Sequence, residues 1–265
     1  MKRWLEITTV IGCKNLCDYC PQVLLARSFG ASTRHLSMET FRTCIDKVPQ
    51  EVDIHFSGYS EPWLNPHCTE MLLYAFNRGH RISVFTTLIG MKLIDIEAIR
   101  HVPFEAFLVH LPDADGLMKV FVDSDYLALL RLIDSTGLSG LTYRTIGSQH
   151  PQIYMLLGPK PEEALHGAFV HSRAGNVDAN VIAPRSPHTG AIRCAKERTN
   201  KNVLLPNGDV VLCCMDYGLR HILGNLIDSD YASLYQSREY RRVISSFASS
   251  DCDSLCRRCE WAEAV

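Results

Sequence analysis

The chain has 265 residues, of which 46% are apolar and 21% charged, and its formal net charge at pH 7 is −2. These values are ordinary for a globular protein and argue against a disordered chain or one with a general attraction to nucleic acid. No apolar run reaches the roughly 18 residues of a membrane-spanning helix. The N-terminal residues lack the apolar core and cleavage site of a signal peptide, so we expect a cytoplasmic protein with no membrane partner.

From residue 4 to residue 174, strand-like and helix-like segments alternate. Ser37, Asn65 and Asp123 stand where three of the intervening helices are expected to begin. The alternation predicts a parallel sheet with right-handed crossovers, and we expect an α/β fold with a partial (β/α)6 TIM-like barrel. Its chemistry should lie at the carboxyl ends of the strands. The predicted strands cover 4–10, 52–58, 81–87, 106–112, 141–147 and 168–174.

A second, smaller unit is predicted at the C-terminal end. Asn207-Gly208 separates two short apolar runs within 204–212 and indicates a hairpin. A helix is expected over about 230–247, followed by a cysteine-rich tail. The predicted organisation is a barrel over 1–175, a linker over 176–192 and a cysteine-rich domain over 193–265.

Cysteine is the unusual part of the composition, with eleven residues, most of them clustered. In a cytoplasmic chain such clusters indicate metal binding or redox chemistry more often than disulfides. Cys13, Cys17 and Cys20 follow the first predicted strand directly. Three thiolates on one loop can hold three corners of a cubane cluster and leave the fourth iron open. Structural zinc, which usually takes four ligands, and a redox pair of Cys17 and Cys20 are the alternatives.

The triplet, with Tyr19 just before its last cysteine, resembles the signature of the radical S-adenosylmethionine (SAM) superfamily. Gly58-Tyr59-Ser60-Glu61-Pro62, at the end of the second strand, resembles that family's Gly-x-Gly-Glu-Pro form, with serine where glycine is commoner. The resemblance implies a SAM-binding [4Fe–4S] cluster on the triplet. It also implies SAM contacts from Tyr19, Gly58, Ser60 and Glu61, with the ammonium group of SAM received near Glu61.

Two further SAM contacts are implied by the same resemblance. Thr86 and Thr87 end the third strand, where the family places polar contacts to the ribose or carboxylate of SAM. Arg173 lies in a segment similar to relatives with a C-terminal cluster domain, and we expect it to pair with the SAM carboxylate. A plain strand end and a surface arginine are the simpler interpretations of these residues.

The C-terminal cysteines resemble the twitch domain, a shortened SPASM domain that binds one auxiliary [4Fe–4S] cluster. The expected ligands are Cys194, Cys213, Cys256 and Cys259, with Cys252 as a substitute in the last pair. A zinc ion held by the same four residues is the main alternative. The tail repeats the cysteine spacing of the N-terminal triplet, so a second SAM-binding site in the tail is another alternative.

Three cysteines fall outside these ligand sets. Cys44 and Cys68 lie in helical patterns and are predicted to be buried apolar residues. Cys214 follows Cys213 in a strand, so its side chain should point to the opposite face. It is interpreted as a core residue or as the hydrogen-atom donor that a free thiol provides in some radical epimerases.

The resemblance implies that SAM is cleaved reductively to a 5′-deoxyadenosyl radical, which takes a hydrogen atom from the substrate. Twitch enzymes of about this length resemble the oxidoreductases, namely dehydrogenases and epimerases, that act on sugars, cyclitols and aminoglycosides. The cluster loop begins at residue 13, which leaves no room for a preceding peptide-binding domain. We therefore expect a small polar substrate oxidised or epimerised at a carbinol centre, with the auxiliary cluster accepting an electron. Modification of a ribosomally made peptide, by cross-linking or epimerisation, is the alternative.

Carbinol oxidation needs a base, and the end of the fourth strand offers His110, Asp113 and Asp115. The electron for SAM cleavage is expected from a flavodoxin- or ferredoxin-type reductant. Two other classes stay open at this point: a non-catalytic zinc or iron–sulfur electron-transfer protein, and a zinc protein that binds nucleic acid. The latter lacks the basic, aromatic-rich surface it needs.

Overall fold

The computed structural model describes residues 2–158, 171–177, 182, 186–249 and 253–265. Within these ranges no helix has the length and apolarity needed to cross a membrane. The strands are β1 (Trp4–Ile7), β2 (Asp53–Phe56), β3 (Ile82–Thr86), β4 (Ala106–Leu111), β5 (Leu141–Thr145), β6 (Ile192–Cys194), β7 (Lys201–Leu204), β8 (Asp209–Val211), β9 (Ile222–Asn225) and β10 (Ala262–Ala264). The helices are α1 (Gln22–Ser28), α2 (Met38–Ile45), α3 (Cys68–Asn77), α4 (Leu93–Ile99), α5 (Ser124–Thr136), α6 (Pro151–Leu157), α7 (Tyr231–Leu234) and α8 (Arg238–Ser245).

One eight-stranded sheet forms the frame of the molecule, in the order β5-β4-β3-β2-β1-β7-β8-β9. Strands β1 to β5 run parallel in sequence order, and β7 pairs in parallel with the other edge of β1. Strands β8 and β9 continue the sheet antiparallel. The predicted α/β fold with a partial TIM-like barrel and a cysteine-rich C-terminal region is therefore confirmed.

Two of the three predicted helix starts are confirmed, at Ser37 and Asp123, whereas α3 begins at Cys68, three residues after Asn65. The side chain of Ser37 accepts a hydrogen bond from Thr40 N at the start of α2, and that of Asp123 accepts one from Tyr126 N at the start of α5. These bonds satisfy backbone N–H groups that the first turn of a helix leaves free. Cys44 and Cys68 are fully buried in the core beside the sheet, as predicted.

Two predicted elements differ from the structure. Residues 171–174 of the expected sixth strand form no strand, and a turn runs over 173–176, while 168–170 lie outside the described residues. The left-handed conformation of Arg173, Ala174 and Gly175 (φ +52°, +56° and +81°) is incompatible with an extended strand. A sixth parallel strand is present in β7, but it pairs with β1 on the side of the sheet away from β5. The helix expected over 230–247 is two helices, because the side chain of Ser237 caps a new start at α8.

The C-terminal residues contain the predicted hairpin. Strands β7 and β8 pair antiparallel around Gly208, which has φ +86°. A side chain there would lie 2.7 Å from both Asn225 Oδ1 and Ile227 Cγ1, so both the backbone and the space favour glycine. Because β7 also pairs with β1, residues assigned from sequence to the C-terminal domain extend the sheet of the barrel.

Candidate active site

A cavity of about 190 Å³, here called the cofactor cavity, opens where the carboxyl ends of the first strands meet the loop over residues 13–20. The structure brings together in its lining every residue that the sequence assigned to the first cluster or to SAM. These are Cys13, Cys17, Cys20, Tyr19, Gly58, Ser60, Glu61, Thr86, Thr87 and Arg173.

The cysteine loop is shaped by hydrogen bonds to its sulfur atoms. Cys13 Sγ accepts bonds from the backbone of Asn15 and Glu61. Gln22 Nε2 donates to Cys20 Sγ at 3.4 Å, and the Tyr217 hydroxyl lies 3.4 Å from the same sulfur. Burial raises the pKa of the Cys17 thiol to about 12. Hydrogen bonds to sulfur are a recurrent feature of cysteines that hold iron–sulfur clusters.

Glu61 is the buried carboxylate of the cofactor cavity. It accepts hydrogen bonds from the Thr86 hydroxyl, from Thr87 N at 2.6 Å and from the Thr87 hydroxyl at 2.8 Å. The two threonines thus orient Glu61 directly, a role the sequence did not predict. Burial raises the pKa of Glu61 to about 7. A cation beside this carboxylate favours its charged form, so the site suits an ammonium group.

Unpaired polar atoms in the cofactor cavity test whether SAM fits. Asn15 Oδ1, Gln22 Oε1 and Ser60 Oγ are buried and have no hydrogen-bond partner among the described residues. All three residues line the cavity. Together with Glu61 and Arg173, they complement the ammonium, carboxylate and ribose groups of SAM. The residues present therefore fit this cofactor. Asn15 and Gln22 were missed from sequence, although both are polar residues beside the triplet.

A second, enclosed cavity lies in the C-terminal part and is here called the auxiliary cavity. Its lining includes Cys194, Cys213, Cys256 and Cys259, the four residues chosen from sequence, among apolar side chains. Cys252, the proposed substitute, lies outside the described residues. Cys194 belongs to β6 and Cys213 follows β8, while Cys256 lies within a short 3-10 turn over Leu255–Arg258 and Cys259 follows that turn.

Backbone N–H groups point at these sulfur atoms too. Arg198 N donates to Cys194 Sγ at 3.4 Å, while Cys213 and Cys259 accept bonds from the backbone of Met215 and Trp261. Such donors fit thiolates that share a cluster. Among the residues that the structure describes, no three His, Cys, Asp or Glu side chains are grouped to hold a single metal ion.

The third space, of about 400 Å³, is here called the barrel cavity, and it borders both others. It shares Ser57, Gly58, Phe85, His110 and Arg173 with the cofactor cavity, and Arg198 with the auxiliary cavity. Alternation along the strands explains its lining, since Trp4 and Glu6 face it while Leu5 and Ile7 are buried in the apolar cores. The barrel cavity therefore adjoins the cofactor cavity on one side and the auxiliary cavity on the other.

Cys213 and Cys214 separate as strand alternation predicts. Cys213 lines the auxiliary cavity and Cys214 lines the barrel cavity. Arg198 Nη1 donates to Cys214 Sγ at 2.8 Å. Burial, followed by the nearby Glu6 carboxylate, raises the pKa of Cys214 to about 11.

The candidate bases occupy different places. His110 lines the barrel cavity, and burial together with Arg144 and Arg173 lowers its pKa to about 4, so the imidazole is neutral. Asp113 instead accepts hydrogen bonds from the backbone of Leu117 and Met118, at 2.8 and 2.9 Å, and holds a loop. Asp115 likewise accepts from Ser148 N. Neither aspartate lines the barrel cavity.

Glu6 is the carboxylate of the barrel cavity that the sequence analysis missed. It is only 6% exposed, and burial raises its pKa. Trp4 Nε1 donates to it at 3.2 Å and the Ser57 hydroxyl at 3.3 Å. The sequence did contain a signal for this role, since Glu6 is a charged residue inside an apolar strand and lies two residues after Trp4, on the same face of that strand. Arg144 and Arg198 were also missed, because they are far apart in sequence and meet at the barrel cavity only once the sheet has formed.

A partial parallel barrel with three thiols at its open end, joined to a four-thiol cavity, is the arrangement of a radical SAM fold with an auxiliary cluster domain. Comparison with known proteins agrees with this class. Residues 194–260 match the family model SPASM, an iron–sulfur cluster-binding domain. None of the curated proteins matches the chain at a significant level.

Solved structures are similar to the chain over nearly its whole length. BtrN, in complex with AdoMet and 2-DOIA, is 14% identical with a TM-score of 0.63, covering 100% of this chain and 94% of its own. Streptococcus suis SuiB, bound to precursor peptide SuiA, is 13% identical with a TM-score of 0.64, covering 98% and 70%. Native anSMEcpe with bound AdoMet is 14% identical with a TM-score of 0.54, covering 97% and 86%. The chain therefore has the fold of radical SAM enzymes and carries a C-terminal SPASM iron–sulfur domain.

Proposed function

We propose that the chain is a radical SAM oxidoreductase that binds a small polar substrate in the barrel cavity. The observation that carries this proposal is the position of the barrel cavity between two sets of thiols. Cys13, Cys17 and Cys20 lie on the cofactor cavity at one side, and the auxiliary cysteines lie on the other. In this proposal each set holds a [4Fe–4S] cluster, and SAM binds in the cofactor cavity.

The chain's own residues have defined tasks in such a reaction. A cluster held by Cys13, Cys17 and Cys20, with SAM beside it, would supply a 5′-deoxyadenosyl radical able to remove a hydrogen atom from the substrate. Glu61 receives the ammonium group of SAM and Arg173 its carboxylate. Trp4 and Phe85 contribute apolar walls to the barrel cavity and restrict water there. Glu6 or neutral His110 accepts the hydroxyl proton when a carbinol is oxidised. A cluster held by Cys194, Cys213, Cys256 and Cys259 would supply an acceptor for the electron that remains after that oxidation.

Cys214 favours a second outcome, epimerisation. Its thiol lines the same cavity as the proposed substrate and is separate from the four auxiliary cysteines. A thiol there can return a hydrogen atom to the opposite face of the substrate radical. The reaction run in D₂O distinguishes the outcomes, because an exchanged thiol places one deuterium in an epimerised product. Loss of that deuterium and of the epimer in Cys214→Ala would identify the donor, whereas an unchanged product would exclude it.

The similar solved structures include proteins bound to a small molecule and to a peptide, so they do not distinguish between these two substrate classes. BtrN is bound to AdoMet and 2-DOIA, and SuiB to a precursor peptide. A barrel cavity of about 400 Å³ lies within the range of pockets for ring-sized ligands, roughly 300–1,000 Å³. This size supports a sugar or cyclitol over a peptide. A flavodoxin- or ferredoxin-type protein is the proposed electron donor.

Iron analysis and SAM cleavage test the proposal together. After anaerobic reconstitution, wild type should bind about eight irons per chain, and the Cys13/Cys17/Cys20→Ala variant about four. With dithionite as reductant, wild type should convert SAM to 5′-deoxyadenosine and the triple variant should not. Cys44→Ala, which removes a thiol from the apolar core, is the matched control and should retain iron and cleavage. A wild-type protein without clusters would overturn the proposal.

A further inference from the structure

Positive charge exceeds negative charge in the barrel cavity. Its lining contains three guanidinium groups, those of Arg144, Arg173 and Arg198, and one carboxylate, that of Glu6. Glu6 Oε1 lies 4.0 Å from Arg198 Nη1, and Glu6 therefore balances at most one of the three. Positive groups in a confined site attract a ligand of opposite charge.

Arg198 keeps a free donor despite its contact with Glu6. Nη1 already donates to Cys214 Sγ, whereas Nε is buried with no hydrogen-bond partner among the described residues. A buried guanidinium N–H without an acceptor is unfavourable, because it has lost its water without replacing it. The side chain is 23% exposed, which limits its access to solvent.

Arg144, an exposed residue at the rim of the barrel cavity, offers a second guanidinium without a protein partner among the described residues. It belongs to β5, where it pairs in register with His110 of β4, so both side chains face the barrel cavity. Within the described ranges it has no hydrogen bond or ion pair closer than 4 Å. Arg173 is already assigned to the carboxylate of SAM in the proposed function. Arg144 and Arg198 are therefore left for an anion other than the cofactor.

The wall between these groups is aromatic. Trp4 stacks on His55 with ring centroids 4.6 Å apart, and His55 stacks on Phe85 at 5.9 Å. Burial lowers the pKa of His55 to about 4, so its ring adds no positive charge. Such a wall suits the carbon face of a ring and leaves the ends of the ligand to the charged residues.

We propose that the substrate carries an anionic group, a phosphate or a carboxylate, bound by Arg144 and Arg198. This inference rests on the proposed function and narrows its substrate class. It favours a sugar or cyclitol bearing phosphate or carboxylate over an aminoglycoside, whose ammonium groups would meet two or three arginines. Planar guanidinium groups bind both kinds of anion through paired hydrogen bonds.

Anaerobic calorimetry on the cluster-loaded protein with SAM bound tests the inference. The probes are glucose 6-phosphate, glucuronate, glucose and glucosamine, which vary charge on one ring skeleton, together with inorganic phosphate. We expect an anionic sugar to bind at least about tenfold more tightly than glucose, and glucosamine to bind most weakly. Arg144→Gln and Arg198→Gln should each weaken anion binding about tenfold or more. Arg100→Gln is the matched control and should bind like wild type, because Arg100 is exposed at the C-terminal end of α4 and pairs with Glu97.

The outcomes separate this inference from the proposed function. A preference for glucose 6-phosphate and inorganic phosphate identifies a phosphate, and a preference for glucuronate identifies a carboxylate. No anion binding up to about 10 mM, or wild-type affinity in both arginine variants, overturns the inference. If 5′-deoxyadenosine still forms from SAM in that case, the proposed function stands. Anion binding without any SAM cleavage overturns the proposed function and, with it, the assignment of the anion as substrate. Because Arg198 also borders the auxiliary cavity, the Arg144 variant provides the independent arm.

Discussion

Glu6 shows how one buried side chain links the sheet to the chemistry proposed here. Its carboxylate faces the barrel cavity from β1, with Arg198, Arg173 and Cys214 as charged or titratable neighbours. Burial outweighs the attraction of Arg198 and raises its pKa above the ordinary 4.5. At pH values between the unfolded and the folded pKa, the folded state holds a proton on Glu6 that the unfolded chain has released, so the free energy of unfolding falls as the pH rises through the folded pKa.

Replacing Glu6 by Gln removes the contribution of Glu6 to the pH dependence of stability. We expect Glu6→Gln to melt at a higher temperature than wild type near pH 8, and the difference to shrink as the pH approaches 5. Thermal unfolding of the reconstituted protein across this range is the measurement. Glu97→Gln, half-exposed on α4, is the control and should follow the pH dependence of wild type. A difference that grows towards pH 5 would contradict the stated sign.

The ends of β1 and β2 approach each other closely beside the cofactor cavity. A Cβ on Gly58 would lie 2.4 Å from Thr8 Oγ1 and 2.8 Å from Ile7 O, at a backbone φ of +57°. The glycine therefore permits two strand ends to meet, and Tyr59 N donates to Thr8 Oγ1 at 3.1 Å from the same turn. This contact determines where the following residues, Ser60 and Glu61, enter the cavity.

Gly58→Ala should destabilise this junction. Left-handed strain and steric overlap together predict a loss of about 2–4 kcal/mol in the free energy of unfolding. Denaturant unfolding under anaerobic conditions measures it. Gly30→Ala is the matched control, since nothing lies within 4 Å of its Cβ, and its change should stay within about 0.5 kcal/mol. Equal stability of the two variants would show that the close approach is not needed.

Across the whole molecule, contacts join the barrel to the SPASM domain. Thr8 N donates to Leu204 O at 2.9 Å, which extends the pairing of β1 with β7. The buried Tyr59 hydroxyl donates to the carbonyl oxygens of Cys213 and Asp216, at 2.9 and 3.1 Å. The loop that leads away from an auxiliary cysteine is thereby tied to the motif beside the cofactor cavity.

Tyr59→Phe tests this coupling. Loss of the hydroxyl leaves two buried carbonyl groups short of a donor, and we expect a stability loss of about 1–3 kcal/mol. Because the loop starts at Cys213, we also expect reduced iron at the auxiliary site after reconstitution. Tyr154→Phe, on an exposed tyrosine of α6, is the control and should change neither quantity. Full iron content and wild-type stability in Tyr59→Phe would remove the proposed link.

Patterns local in sequence predicted much of this protein. The alternation of strand and helix patterns, with helix caps at Ser37 and Asp123, predicted the barrel. The spacing of Cys13, Cys17 and Cys20 predicted the thiols at its open end. Both features depend on residues that are neighbours in the sequence. The prediction of the sixth strand was wrong because the backbone at Arg173, Ala174 and Gly175 is left-handed, which an alternating sequence pattern does not reveal.

Only the tertiary structure decided what faces the barrel cavity. Glu6, Arg144 and Arg198 belong to three separate segments, and each resembles an ordinary charged residue in its own stretch of sequence. Parallel pairing fixes the side of the sheet on which they meet, and burial then shifts the pKa of Glu6. The sequence by itself determined the cysteine ligand candidates and the class of fold. The charge of the cavity arises only when the folded sheet brings these distant residues together around one space.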